Sequence, residues 1–174
     1  MAVYVALLRA VNVGGTGKLP MDELKSMCTR SGFRNVETYI ASGNVVLESD
    51  GSEADVKKAL EARLARYAGK PVGVMVRTPR EMAAVSQRNP FPGAAPNRTV
   101  AIFLDAAPPR DTLAKVTGKK DEEVALGTRE IYVRYGADMG RSKLRIPAAA
   151  AGTARNLNTV AKLAEMAGRR DARS

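Results

Sequence analysis

An α+β fold in two successive, similar halves is what the 174-residue sequence predicts, and three observations carry that expectation. Short apolar runs of strand length, such as "VYVALL" and "VVLES", alternate with segments whose apolar residues recur at helical spacing. Over residues 1–77 the order of these elements is βαββαβ, the split βαβ arrangement of a ferredoxin-like unit. Over residues 99–168 the same order begins again and stops at βαββα, so the second ferredoxin-like subdomain is expected to lack its last strand.

The elements follow in chain order. "VYVALL" is continuously apolar, as a strand buried on both faces is. Pro20 opens a helix whose stripe is Met21, Leu24, Met27 and Cys28; Asp22 and Glu23 suit its positive end, and Gly32 stops it. "NVETYIA" and "VVLES" form a hairpin through Ser42-Gly43-Asn44, where Gly supplies the positive φ of a tight turn. A second helix carries Val56, Leu60, Leu64 and Tyr67 on one face, and "VGVMVR" closes the first subdomain. Residues 78–98 are expected to bridge the halves. They comprise a helix from Pro79, capped by Thr78 with Glu81 in the capping-box position, and the turn-rich "SQRNPFPGAAPNR". In the second half "TVAIFLDA" is a strand, "PPRDTLAKVT" a helix, "EEVALGTREIYVRY" a hairpin turning at Gly127-Thr128, and "LNTVAKLAEMA" the last helix. Residues 169–174 are expected to form a disordered basic tail.

Composition excludes several classes of function. Hydrophobic residues make up 45% of the chain, enough for a packed core. The N-terminal apolar run is broken by Arg9, well short of the ~20 residues that span a bilayer, so no membrane partner and a cytoplasmic setting are expected. Cys28 is the one cysteine, which leaves no internal disulfide. The chain has no histidine, which removes Ser-His-Asp and Cys-His nucleophile systems and the usual zinc sites. No tight acidic cluster suggests magnesium either. No catalytic residue, metal or cofactor is therefore assigned.

Net charge is +10, and it is unevenly placed. From Arg141 onward eight basic residues stand against Glu165 and Asp171, a bias that favours polyanionic or phosphorylated partners.

"NVGGTGKLP", residues 12–20, is a near miss for a phosphate-cradling P-loop, G-x-x-x-x-G-K-[ST]. Aligned on Gly17-Lys18, it has Asn12 in place of the first glycine and Leu19 in place of the hydroxyl residue. Pro20 offers no N–H, and Asp22 and Glu23 would repel an anion at that helix end. A P-loop NTPase is rejected; a plain crossover and a different kind of ligand loop, with Asn12 and Lys18 touching an anion, both remain. The second candidate is "GTARNLNT". Thr153 is the expected N-cap of the last helix, with Arg155 and Asn156 in its first turn and no acidic residue before Glu165. Leu157, Val160, Ala161, Ala164 and Ala167 would form its apolar face, and Arg155, Asn158, Thr159 and Lys162 its polar one. Asn156, at the edge, is expected to tie the helix to a loop. Arg155 with Lys143 and Arg145 is the preferred anion patch.

The βαββαβ order also describes the RNA-binding RRM, which stacks bases on aromatics of its central strands. Tyr4 fits such a first strand, but "SGNVVLES" offers no aromatic in the third. Tyr4, Tyr39 and Tyr132 are expected to pack in the core or at an edge.

Two stretches, "LLRAVNVGGTGKLPMDELKSMCTRSGFRNVETYIASGNVVLES" and "GTARNLNTVAKLAEMA", resemble the bacterial domain-of-unknown-function family DUF1697. The likeness covers about the first 50 residues and the last helix, the middle fitting in layout only. It implies two ferredoxin-like subdomains and no established activity, substrate or cofactor. The family-like positions are Arg9, Asn12, Gly14, Gly15, Lys18, Leu19 and Pro20; Tyr39, Ser42, Gly43 and Asn44; and Thr153, Arg155, Asn156, Asn158 and Thr159. Leu157 stands where the resemblance implies tryptophan, and Ala41 where a polar amide is common.

The candidate anion-binding residues are thus Arg9, Asn12, Gly14, Gly15, Lys18, Tyr39, Ser42, Asn44, Lys143, Arg145, Thr153, Arg155, Asn156 and Asn158. The leading expectation is a non-enzymatic binder of nucleic acid or a phosphorylated small molecule, with residues 12–18 and the start of the last helix converging on a cleft between the halves. Two other readings stay open: an enzyme for a small phosphorylated or acidic substrate, using Lys18 or Tyr39 with Arg9, and a structural or oligomeric protein. Nothing specific indicates a homo-oligomer.

Overall fold

The structure, a computed structural model, describes residues 1–12 and 18–171. The fold is α+β. Four α-helices accompany two four-stranded antiparallel sheets among the described residues. The chain divides into two compact units, one made of Met1–Ala83 with the residues from Leu163 onward, the other of Ala84–Lys162.

The first unit contains β1 (Ala2–Leu8), α1 (Met21–Arg30), β2 (Arg34–Thr38), β3 (Asn44–Ser49), α2 (Glu53–Ala68) and β4 (Val74–Arg77), with sheet order β2-β3-β1-β4. Side chains alternate across a strand, so Tyr4, Ala6 and Leu8 of β1 join Val45, Leu47, Val74 and Val76 on one face. There they meet Leu24, Met27 and Cys28 of α1 and Val56, Leu60 and Leu64 of α2, the helical stripes expected from spacing. Val3, Val5 and Leu7, on the other face, are buried as well, which is why β1 is apolar throughout. Ser52 and Asp55 form a reciprocal capping box on α2, and Gly69 ends it in the left-handed conformation at φ 71°. Tyr67 departs from expectation. It shares the face of Val56 and Leu60 yet is 47% exposed, so the last turn of α2 overhangs the packed core.

α3 (Pro79–Gln87) starts with the expected reciprocal bonds, the Thr78 N–H to Glu81 Oε1 at 2.9 Å and the Glu81 N–H to Thr78 Oγ1 at 3.1 Å. The second unit then builds β5 (Thr99–Phe103), β6 (Glu123–Leu126), β7 (Glu130–Arg134) and β8 (Thr153–Asn156) in the order β6-β7-β5-β8, and α4 (Leu157–Asp171) begins there.

Three expectations need correction here. The second sheet does not lack its last strand: "TARN" is β8, paired antiparallel with β5 from Phe103↔Thr153 to Val100↔Asn156. "PPRDTLAKVT" forms a single 3-10 turn, Leu113–Lys115, and no α-helix. The Thr112 N–H and hydroxyl both bond the Pro109 carbonyl, closing a turn, and Thr117 is already bridged to Arg145. The third concerns the tail. Arg169, Arg170 and Asp171 belong to α4, and Arg170 is held by Glu37 at 2.8 Å, by Glu48 at 3.6 Å and by the Asn35 carbonyl.

The core of the second unit is covered by irregular chain. Val100, Ile131 and Val133 pack under Met139, Leu144, Ile146 and Ala149. Those residues come from a segment with only two short 3-10 turns, Met139–Arg141 and Pro147–Ala149.

Candidate functional site

In the first unit, three of the expected ligand residues, Asn12, Ser42 and Asn44, are occupied with holding the backbone. Asn12, at φ 55°, donates from Nδ2 to the carbonyls of Leu19 and Ala41, both at 2.8 Å, and its Oδ1 accepts the Leu19 N–H at 2.6 Å. One amide thus joins the two ends of the β1–α1 crossover to the β2–β3 connection. Asn44 is fully buried and donates to the Tyr39 carbonyl at 2.8 Å and to Ser42 Oγ at 2.9 Å. The hairpin closes more loosely than a two-residue turn, since Tyr39 N–H bonds the Asn44 carbonyl and Ile40 takes φ 48°. Gly43, at φ 89°, passes its carbonyl to the Leu8 N–H at 2.9 Å. Tyr39 is half-buried, while Arg9 and Lys18 are exposed. Gly14 and Gly15 lie outside the described residues.

In the second unit, Arg155 is not on a helix and not at the surface. It lies in β8, 6% exposed, donating to Thr153 Oγ1 at 2.7 Å and to the Ala154 carbonyl at 2.9 Å; burial lowers its pKa to about 10. The expected grouping of Arg155 with Lys143 and Arg145 as exposed anion contacts therefore fails on burial. Thr153 is a buried strand residue, and the cap of α4 is Asn156, whose Oδ1 accepts the Thr159 N–H at 2.9 Å. Asn158 is exposed, whereas Thr159, expected on the polar face, is buried and Ala161 is exposed.

Lys143 and Arg145 are exposed, and the structure adds neighbours that the sequence pattern does not pair with them. Thr117 and Arg145 form an antiparallel bridge, with N–H to carbonyl distances of 3.0 and 2.8 Å. Gly118 follows at φ 69°, and a Cβ there would collide with the Lys143 carbonyl. This register brings Lys119 and Lys120 alongside Arg141, Lys143 and Arg145. All five are exposed, and none has an ion pair among the described residues. Buried Glu122 clamps the two segments, accepting from the Ser142 hydroxyl and from the Lys120 N–H at 2.7 Å. Those bonds, Ser142 first, lower its pKa to about 2. The adjacent carboxylates are Asp121 and Glu123; Glu123 is paired with Arg134 at 3.3 Å. Such an arrangement can attract a multiply charged anion. Among the described residues no three potential metal ligands cluster, and no helix is long and apolar enough to cross a membrane.

The same sheet order occurs in both units, with a helix capped directly after each fourth strand, and the whole is an α+β protein with two four-stranded antiparallel sheets. The chain belongs to the family described as "Protein of unknown function (DUF1697)", which matches residues 1–132. The match thus includes the middle of the chain but neither the 141–145 segment nor the last helix. The conserved bacterial protein SP0830 from Streptococcus pneumoniae has a similar solved structure, with 24% identity, 95% of this chain and 98% of that chain covered, and a TM-score of 0.76. That likeness concerns the fold alone. No curated protein matches the chain.

Proposed function

We propose that this protein is a non-enzymatic binder of phosphate-bearing polyanions, nucleic acid in the first place, and that both of its units are ferredoxin-like. The ferredoxin-like reading is supported by the order β2-β3-β1-β4 after a βαββαβ succession, and by recurrence of that sheet order as β6-β7-β5-β8, where 3-10 turns and irregular chain take the place of the two crossover helices.

The binding reading rests on one observation: five exposed basic side chains, none with an ion pair among the described residues, on two segments that Glu122 and Ser142 hold side by side. Counterion release from a polyanion would supply the free energy. Base stacking of the RRM kind has no support, because Tyr4 and Tyr132 are buried with their hydroxyls donating to the Gly51 and Val85 carbonyls. Contacts would then be chiefly to phosphates, with little sequence preference.

Fluorescence anisotropy with a labelled single-stranded RNA, repeated over a salt series, tests this. Replacing Lys119, Lys120, Lys143 and Arg145 together by alanine should weaken binding at least tenfold and flatten the slope of log K against log salt by about 3. Wild-type affinity and slope in that variant would refute the assignment.

A further inference from the structure

The first unit has a concavity built from other residues than the basic face. It holds about 220 Å³, between Ala10, Val11, Lys18 and Leu19 on one side and the overhanging last turn of α2 on the other. Val11, Leu19 and Leu64 form its floor, all buried parts of the core. Lys18, Tyr67 and Lys70 stand at its mouth, all exposed. Among the described residues no carboxylate lines it, and neither ammonium nor the Tyr67 hydroxyl has a bonding partner.

These positions are fixed by local structure. Lys18 directly precedes Leu19, whose N–H is locked onto Asn12 Oδ1. Lys70 directly follows Gly69, whose left-handed cap and N–H to the Ala65 carbonyl at 2.9 Å set the exit of the chain from α2. The two like charges therefore share one mouth because the backbone brings them there. The C-terminal end of α2 carries partial negative charge, so without the lysines this mouth would repel an anion.

We propose that this groove binds a small organic anion, with a flat apolar body on the Val11, Leu19 and Leu64 floor beside Tyr67 and a carboxylate or phosphate between Lys18 and Lys70. The volume suits a single substituted ring; it is below the range of about 300–1,000 Å³ that takes larger ligands. Apolar floor and paired cations together select an amphipathic acid over an inorganic anion or a neutral ring.

The test is an NMR titration of the full chain with phenyl phosphate and with benzoate, beside inorganic phosphate and benzyl alcohol as the separate halves. At least one of the two aromatic acids should bind saturably, perturb the Tyr67 ring, and bind at least tenfold more tightly than either half; the better acid identifies the charged group. Lys18→Gln with Lys70→Gln should lose at least tenfold, while thermal melting of these exposed substitutions stays at the wild-type value. An acid that binds no better than inorganic phosphate, or equally well without the two lysines, would overturn the proposal, as would no binding at all. The quadruple alanine variant of the basic face should keep its affinity for the acid, so loss of RNA binding and loss of this groove are read separately.

Discussion

Arg77 and Arg155 occupy the same station in the two sheets. Each lies in the strand that pairs antiparallel with the first strand of its unit, Arg77 across from Val5 and Arg155 across from Ala101. Both are buried, and each guanidinium donates to the carbonyl of the preceding residue, Val76 at 3.0 Å and Ala154 at 2.9 Å. Each also comes immediately before the residue that caps the next helix, Thr78 or Asn156. The surrounding sequences "VMVRT" and "TARN" share little beyond that arginine. Strand, burial, bond and cap nevertheless coincide, which favours an internal duplication.

Truncating such a residue should be costly. Arg77→Ala removes a fully buried side chain and strips a carbonyl of its donor, for an expected loss of about 3–5 kcal/mol. Lys143→Ala, on the surface, should stay within about 0.5 kcal/mol of wild type. Urea denaturation of the two variants checks this, and equal midpoints would mean that the buried arginine does not stabilise its strand.

Gly43→Ala should be among the most damaging small substitutions. A Cβ there would meet Val11 Cγ2 at 2.6 Å and Leu8 Cβ at 2.8 Å, and φ is 89°. Overpacking and strain together predict a loss of about 2–4 kcal/mol. Gly93→Ala meets nothing within 4 Å and has no left-handed φ, so it should be neutral or raise stability by about 0.5 kcal/mol. Thermal melts of the pair separate steric causes from the general effect of losing a glycine.

What could be read in the sequence was local. The stripes of α1 and α2 and the Thr78/Glu81 box depend on residues three to eleven apart, and they appear as expected. β8 depends on β5, about fifty residues earlier, and its four residues resemble a helix start because Asn156 truly caps one. That long-range pairing also buries Arg155, so charge counting misplaces it. Lys143 and Arg145 stand out as charge, but Lys119 and Lys120 join them only through the Thr117–Arg145 bridge. Ser42 and Asn44 have the side chains of ligand contacts, yet Asn44 bonds both the Ser42 hydroxyl and the Tyr39 carbonyl.

Glu122 makes the second unit sensitive to acid. Its folded pKa is about 2, against 4.5 ordinarily, because the Ser142 hydroxyl and the Lys120 N–H bond the ionised form. Above pH 4.5 the carboxylate is ionised in both folded and unfolded chains and its stabilisation is fully present. As pH falls from 4.5 towards 2 the unfolded chain takes up a proton that the folded one does not, and the contribution is lost. Ser142→Ala should raise the Glu122 pKa and shrink this loss, and Glu122→Gln should abolish it. Carboxyl carbon NMR titration with urea midpoints between pH 7 and 3 gives both readouts; an unchanged Glu122 pKa in Ser142→Ala would sink the assignment.

Asn12 separates backbone strain from bonding. At φ 55° Asn12→Gly fits the backbone and loses only the three amide bonds, for about 1–2 kcal/mol. Asn12→Ala loses the bonds and is strained as well, so it should fall further, to about 2–4 kcal/mol. Asn12→Asp keeps an acceptor for the Leu19 N–H but turns a second oxygen towards the carbonyls of Leu19 and Ala41, and it should be less stable than Asn12→Gly. With about 2–4 °C in Tm for each kcal/mol in a chain of this size, melting curves resolve the order. An aspartate variant as stable as wild type would show that the amide nitrogen is not the tie between the crossover and the hairpin.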